Sequence, residues 1–335
     1  MKAIALVSGG IDSTLAARLI QQQGIEVLAL NFKTPFCLCD RKTSQGCSHA
    51  AKTTADNLGV ELKMVNIGDE FLQVIRNPRH GYGSNMNPCI DCRILKFKKA
   101  KEYMQETGAA FILTGEVLGQ RPMSQHRQAL MLIEKESGLE GLVLRPLSAQ
   151  LLPETIPERQ GWVDRDKLLS FNGRSRKPQF SLAKEFNIQD YSCPAGGCLL
   201  TDPEFSKRIK DLMLREKLDF NNVNLLKLGR HFRLSQNSKL IVGRDEKENQ
   251  RLINLAQDGD YLFGPAQIAG PTALGRGCFN EGLVDLAAGI VCSYCDLNGK
   301  QNADISLRIL PNAQEKILNA LPLERDKFAA LRIGS

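Results

Sequence analysis

The sequence predicts an α/β protein: a parallel sheet with helices on both faces, followed by a smaller α+β domain. Three observations carry this. Ile4–Val7 is an apolar run long enough for one buried strand, and it leads through Ser8-Gly9-Gly10 into a segment of helical spacing opened by Asp12, Ser13 and Thr14. Gly24 ends that helix and Glu26–Phe32 reads as a second buried strand, a strand–helix–strand unit that requires parallel pairing. From Leu225 the texture changes to short strands, with Arg230–Leu234 and Lys239–Gly243 as a hairpin.

Composition bounds the rest. A chain of 335 residues, 42% hydrophobic and 24% charged, is expected to be soluble and to divide into two or three domains. No apolar run approaches the ~18 residues of a membrane span, and the first strand begins too early for a signal peptide. A cytoplasmic protein is therefore expected, with its ten cysteines serving as thiols, metal ligands or catalysts rather than in disulfides. The net charge of +7 is unevenly spread: Phe205–Lys239 holds nine Lys or Arg against three acids, and Arg159–Lys184 holds seven against two. Such stripes suit a polyanion, with nucleic acid the first candidate.

Each element follows in order. The Ile4–Thr14 stretch is strand, glycine turn and helix start, the geometry that aims free backbone N–H groups and a positive dipole end at a phosphate. No Lys follows the glycines, so it is not the Walker loop. Thr34–Ser48 reads as a loop in which Cys37, Cys39, Cys47 and the nearby His49 are potential soft-metal ligands. Ala50–Leu58 is helical, Val60–Ile67 alternates as a third strand, and Phe71–Ile75 starts another helix. Pro78–Pro88, rich in Gly, Asn and Pro, reads as a loop that could serve as a lid. Cys89 and Cys92 bracket a turn into a basic helix, Arg93–Met104, where thiol pKa values are expected to be lowered. Phe111–Glu116 and Leu142–Leu147 are further strands. In Tyr191–Thr201, two glycines before Cys198 permit a sharp bend that brings its thiol near a partner, with Cys193 as a spare. Asp202 and Pro203 then cap a basic helix. Arg244–Asn249 caps a helix reaching Ala256, and Gly289–Asp296 reads as apolar and β-rich, with Cys292-x-x-Cys295 a weak zinc signal.

Ser-Gly-Gly-Ile-Asp-Ser at Ser8–Ser13 resembles the pyrophosphate loop of the PP-loop ATPases. Asn87–Phe97 resembles the thiouridylase motif Asn-Pro-(Asp or Cys)-x-x-Cys-Asn-x-x-Ile-Lys-Phe, with Arg93 in place of its Asn, and Pro194–Thr201 resembles the Pro-Ala-Gly-Gly-Cys-Leu-Leu-Thr signature. Thr114-Gly115-Glu116 departs from the Thr-Gly-His often found in that family. The first 200 or so residues thus resemble a PP-loop protein of the tRNA thiouridylase group, and the remainder is similar to an NFACT-type RNA-binding domain.

The resemblance implies an adenine nucleotide alpha hydrolase-like fold and adenylation of a tRNA uridine carbonyl, with ATP going to AMP and pyrophosphate. It assigns Ser8, Gly9, Gly10, Ile11, Asp12 and Ser13 to the phosphates and Mg2+, with Asp12 reaching the metal, and Leu30, Asn31, Phe32, Thr114 and Gly115 to the rest of the nucleotide. It assigns Cys89, Cys92 and Cys198 to a 4Fe-4S cluster that holds sulfur from sulfide or a persulfide carrier. A persulfide relay between cysteines and adenylation of a small molecule are the alternatives, and the oligomeric state is left open. The expected domains are a catalytic domain over 1–160, a basic helical connector with the third cysteine over 161–222, and an RNA-binding-like domain over 223–335.

Overall fold

The computed structural model describes residues 1–37, 46–188, 197–312 and 314–334, with side chains at all of these except 46–48. It divides into two compact units, Met1–Thr201 and Asp202–Ser335. The segment 161–222 is thus shared between them, with helix Lys177–Glu185 in the first and Pro203–Arg215 in the second.

In the first unit, β1 (Lys2–Leu6), β2 (Glu26–Lys33), β3 (Leu62–Asn66), β4 (Phe111–Thr114) and β5 (Val143–Leu144) form one sheet in the order β3-β2-β1-β4-β5. Every pairing is parallel, with Leu6 level with Leu30 on one side and Thr114 on the other. The inner strands β1 and β4 are apolar on both faces because both faces are covered, whereas β3 at the edge has no buried residue. Ala3, Ala5 and Val7 face a core shared with Leu15 and Ala16 of helix α1 (Ile11–Gln21) and with Ala51, Ala55 and Ala183. Ile4 points the other way, to Ile94, Phe97 and Met104 of the helix Cys89–Thr107. That alternation is the period of a strand. Chain order reverses at β1, so the connections after β1 and β4 part company there and open a crevice at the carboxyl ends of the strands.

In the second unit, β6 (Arg230–Ser235), β7 (Ser238–Val242), β8 (Tyr261–Pro265), β9 (Ala273–Gly277), β10 (Ala303–Ile309), β11 (Glu315–Ala320) and β12 (Arg332–Ile333) form an antiparallel sheet in the order β11-β10-β8-β9-β7-β6-β12. The hairpin β6–β7 is where the sequence places it. The expectation of β structure over Gly289–Asp296 is corrected: Glu281–Cys292 is a helix capped by the Asn280 side chain, and it buries Ile290, Val291 and Cys292 in one core cluster with strand residues Phe263 and Ile305. Among the described residues, no helix is long and apolar enough to cross a membrane.

Candidate active site

The crevice of the first unit is a cavity of about 300 Å³. The loop after β1 forms one wall. Gly9 has φ +77°, and a Cβ on it would lie 2.4 Å from the Ala50 Cβ, so only glycine fits. Gly10 precedes α1 without a side-chain cap, which leaves the first-turn N–H groups open to a ligand. Ser13 Oγ donates to the Gly10 carbonyl at 2.9 Å and accepts from Ser8 N at 3.2 Å, bracing the loop. Gly115 follows β4, and a Cβ there would meet Asp12 C and Ser13 N at 2.4 Å, so Thr114–Gly115 packs directly on the helix start.

Asp12 Oδ2 accepts from Gln120 Nε2 at 3.1 Å and stands 3.8 Å from Arg176 Nη2, whereas Oδ1 is buried with no partner among the described residues. A buried carboxylate oxygen left unpaired is costly unless something else fills the place. A hard cation such as Mg2+ fits that donor. Asn31 is used internally: its Nδ2 donates to the Val7 carbonyl at 2.7 Å, tying the ends of β1 and β2 together and leaving Leu30, Asn31 and Phe32 to line the cavity.

The cysteine wall comes from two distant segments. Cys89 and Cys92 stand one turn apart in the first turn of helix Cys89–Thr107, and Cys92 N donates to the Pro88 carbonyl at 2.8 Å. The segment Pro78–Pro88 is pinned, because the Asp91 carboxylate accepts from the backbone N–H groups of Arg79 and His80, each at 3.1 Å. It also holds the second segment: Met86 N donates to the Leu200 carbonyl at 3.0 Å and Asn85 Nδ2 to the Thr201 carbonyl at 2.8 Å. On the other side, Leu199 N donates to the Phe36 carbonyl at 2.8 Å, and Cys37 and Cys198 form a β-bridge. Cys198 is thereby clamped between the end of β2 and the approach to Cys89, and all three thiols, none of them in a disulfide, line the cavity.

Burial sets the state of two of these thiols, Cys89 and Cys198. It pushes Cys89 up; Arg93 pulls against it, Cys92 adds to it, and Arg121 and a hydrogen bond from Asn87 Nδ2 pull against it. Burial pushes Cys198 up to about 12, opposed by a backbone hydrogen bond at Leu200 and by Lys96. The lowered pKa expected at this helix start is therefore corrected for Cys89. The exclusion of disulfides is corrected too, since Cys37 is disulfide-bonded. Cys39, Cys193 and the Cys47 side chain lie outside the described residues. Among the described residues, no three His, Cys, Asp or Glu side chains are gathered closely enough to hold a metal ion.

Arg93, Gln120, Arg121 and Arg176 also line the cavity, and sequence reasoning assigned none of them a role. The signal available for Arg93 was its departure from the motif at a position beside Cys92. Glu116, the other departure, is buried beneath it. Burial alone would raise the Glu116 carboxyl, but Arg93 and Arg145, with the Thr114 hydroxyl, outweigh burial and hold it below the usual range. The basic stripe over Phe205–Lys239 is partly internal. Arg208 is buried and donates to the Leu226 carbonyl, Arg233 pairs with Asp211 and Glu216, and Lys239 is buried near Glu216. Lys207, Lys210 and Lys217 are exposed.

Residues 1–140 match the family model of the tRNA methyl transferase HUP domain. The first unit is a PP-loop domain of this fold. Residues 229–331 match the NFACT protein RNA binding domain, so an NFACT-type domain lies within the second unit. Among curated relatives, the tRNA-specific 2-thiouridylase MnmA of Petrotoga mobilis is 35% identical over 130 residues, which is 35% of this chain and 35% of that one. The protein of the same name from Psychromonas ingrahamii is 26% identical over 290 residues, 80% of this chain and 77% of that one. The chain spans about a third of the length of the first relatives it matches. Among solved structures, the U34-tRNA thiolase NcsA from Methanococcus maripaludis with its [4Fe-4S] cluster aligns at a TM-score of 0.35 and 17% identity, over 68% of this chain and 71% of that one.

Proposed function

We propose that the chain is an ATP-dependent sulfurtransferase that thiolates uridine in tRNA. The observation that supports this most is one cavity in which the phosphate loop, the strand ends and three free thiols share walls. The names of the relatives, tRNA-specific 2-thiouridylases, support the substrate. In this reading the backbone at Leu30, Asn31 and Phe32 takes the adenine, and the open N–H groups at the start of α1, with Ser8 to Ser13, take the phosphates. Asp12, whose Oδ1 is buried without a partner among the described residues, would hold Mg2+, and Thr114–Gly115 closes the side.

The uridine carbonyl oxygen attacks the α-phosphorus; a P–O bond forms and the bond to pyrophosphate breaks. Sulfur then bonds to the activated carbon, and the C–O bond breaks as AMP leaves. A bare uridine oxygen is a poor leaving group, which is why adenylation comes first. Cys89, Cys92 and Cys198 are the residues that would hold a 4Fe-4S cluster, whose usual donors are thiolates. When bound, such a cluster would hold sulfide for the transfer, supplied directly or released from a persulfide carrier by an external thiol reductant. Exposed Lys207, Lys210 and Lys217 suit the RNA backbone.

A second reading has one of Cys92 and Cys198 take a persulfide from a persulfide donor: its outer sulfur bonds to the activated carbon as AMP leaves, the other thiol resolves the persulfide by closing a disulfide, and an external thiol reduces that disulfide. Cys92 and Cys198 line one cavity with the phosphate loop and neither is in a disulfide, which supports it. ATP and bulk tRNA are incubated with anaerobic protein and either sulfide, for the first reading, or a persulfide donor, for the second; AMP is measured, and digested RNA is weighed for thionucleoside. AMP and thionucleoside are expected together and only with tRNA, and Asp12→Ala removes both. AMP formed without tRNA, and no thionucleoside, would reject tRNA thiolation in favour of small-molecule adenylation.

A further inference from the structure

Arg93 and Glu116 depart from the motif separately in sequence, yet they are bonded to each other: Arg93 Nη1 donates to Glu116 Oε1. Glu116 is 3% exposed, and its Oε2 accepts from Arg145 Nε at 2.9 Å and from the Thr114 hydroxyl at 3.2 Å. Arg145 is 4% exposed and pairs in turn with Glu134. Replacing a buried ion pair by apolar packing is often neutral or stabilising, so a chain of four charges has little rationale as a source of stability alone. It does fix whatever stands at its open end.

Arg93 stands at that end. Its side chain is 24% exposed and lines the cavity, one residue beyond Cys92, and Nε and Nη2 make no hydrogen bond among the described residues. Glu116 directly follows Gly115, which packs on the backbone of Asp12 and Ser13. The guanidinium seated on Glu116 therefore lines the same cavity as the phosphate loop and the thiols of Cys89 and Cys92. A planar guanidinium with a free edge favours an anion that offers paired oxygens.

We infer that Arg93, positioned by Glu116, is a phosphate-binding residue that grips the α-phosphate of the bound nucleotide on the side facing Cys89 and Cys92. This rests on the nucleotide site proposed above. Glu116 acts through Arg93 and is a positioning residue.

The test titrates AMP and adenosine calorimetrically into wild type, Arg93→Ala, Arg93→Lys and Glu116→Gln. Losing one charge-assisted contact should lower the preference for AMP over adenosine by about tenfold in Arg93→Ala, with adenosine affinity unchanged. Guanidinium ion should restore most of that preference in Arg93→Ala, because the Glu116 carboxylate still offers its seat. It should restore none in the double variant Arg93→Ala/Glu116→Gln. Arg93→Lys keeps the charge without the fork and should fall between wild type and Arg93→Ala. Glu116→Gln disturbs a buried pair and can unfold the chain, whereas Arg93→Ala leaves Glu116 clamped by Arg145 and keeps the test valid. An unchanged preference in Arg93→Ala would overturn the inference and leave the nucleotide site standing. Wild type that binds neither AMP nor adenosine would overturn both.

Discussion

Cys89 and Cys92 begin a helix, and Cys292 ends one. The spacing is the same, Cys-x-x-Cys, but the surroundings are opposite. The first pair lies at the positive end of a helix dipole and lines a cavity with the phosphate loop. In the second, Cys292 is fully buried in the core of its unit, its Sγ 3.3 Å from the Ala320 carbonyl oxygen. Cys295 Sγ lies 3.4 Å from the Val291 carbonyl oxygen, and a Cβ on Gly270 would come within 2.6 Å of it. One pair has space in front of it and the other has packing. Two thiols three residues apart tell a reader only that they share a helical face; which end of the helix they occupy, and what covers that face, decides whether they can do chemistry.

The largest effect expected from this contrast is on turnover. Cys92→Ala should lower thionucleoside formation by about a thousandfold or more, while Cys292→Ala should keep it within about twofold per folded molecule and cost about 1 kcal/mol of stability. Rates and urea midpoints of the two variants decide it, and loss of turnover in folded Cys292→Ala would break the comparison. Glycines extend it: Gly115→Ala forces a Cβ onto the Asp12 backbone and should weaken nucleotide binding by about a hundredfold, whereas Gly264→Ala, with open space around it, should leave binding unchanged. Calorimetry with an ATP analogue measures both.

A moderate effect is expected on RNA. Reversing the charge of Lys207 and Lys210 should weaken tRNA binding and reduce the salt slope by roughly one unit per lost contact. Arg208→Glu instead puts a charge of the wrong sign into a buried site and should unfold the second unit, which thermal melting would register first. If folded Arg208→Glu behaves like the lysine variants, the stripe is a surface after all.

The smallest effect concerns the second cysteine pair alone. Burial pushes Cys295 from the ordinary value of 9 up to about 11. Near pH 8 its thiolate should be about a hundredfold scarcer than that of an ordinary thiol, and its alkylation slower than that of exposed Cys278. The unfolded chain loses this proton above pH 9 while the folded chain keeps it. The contribution to stability is therefore complete below pH 9 and is lost as pH rises to 11. Urea midpoints across that window should fall more for wild type than for Cys295→Ala.

Much of the first unit is legible in the sequence because doubly covered parallel strands leave plain apolar runs, as in Ile4–Val7, and because Gly9 and Gly115 mark places where no side chain fits. The three thiols can be chosen for the same reason, each lying beside a helix start or a glycine bend. The pairing of Arg93 with Glu116 is not legible, since it depends on the sheet bringing the end of β4 under a helix that precedes it. The second unit is harder for a different reason. β8 and β9 carry Gly264, Pro265, Gly275 and Gly277, which interrupt the alternation of a strand, and the β-branched Ile290 and Val291 disguise a helix. A charge count also cannot say which way a side chain points, and Arg208, Arg233 and Lys239 point inward or into ion pairs.

The joining of nucleotide site and thiols into one sulfur-transfer centre is tested most directly by an iron count on anaerobically purified protein, taken together with its thiolation activity. About four irons per chain and a brown colour are expected in wild type. Both should be lost in Cys89→Ala, Cys92→Ala and Cys198→Ala, and both kept in Cys292→Ala and Cys295→Ala. A colourless, iron-free wild type that still thiolates tRNA from a persulfide donor would contradict the cluster and leave Cys92 and Cys198 as the relay pair.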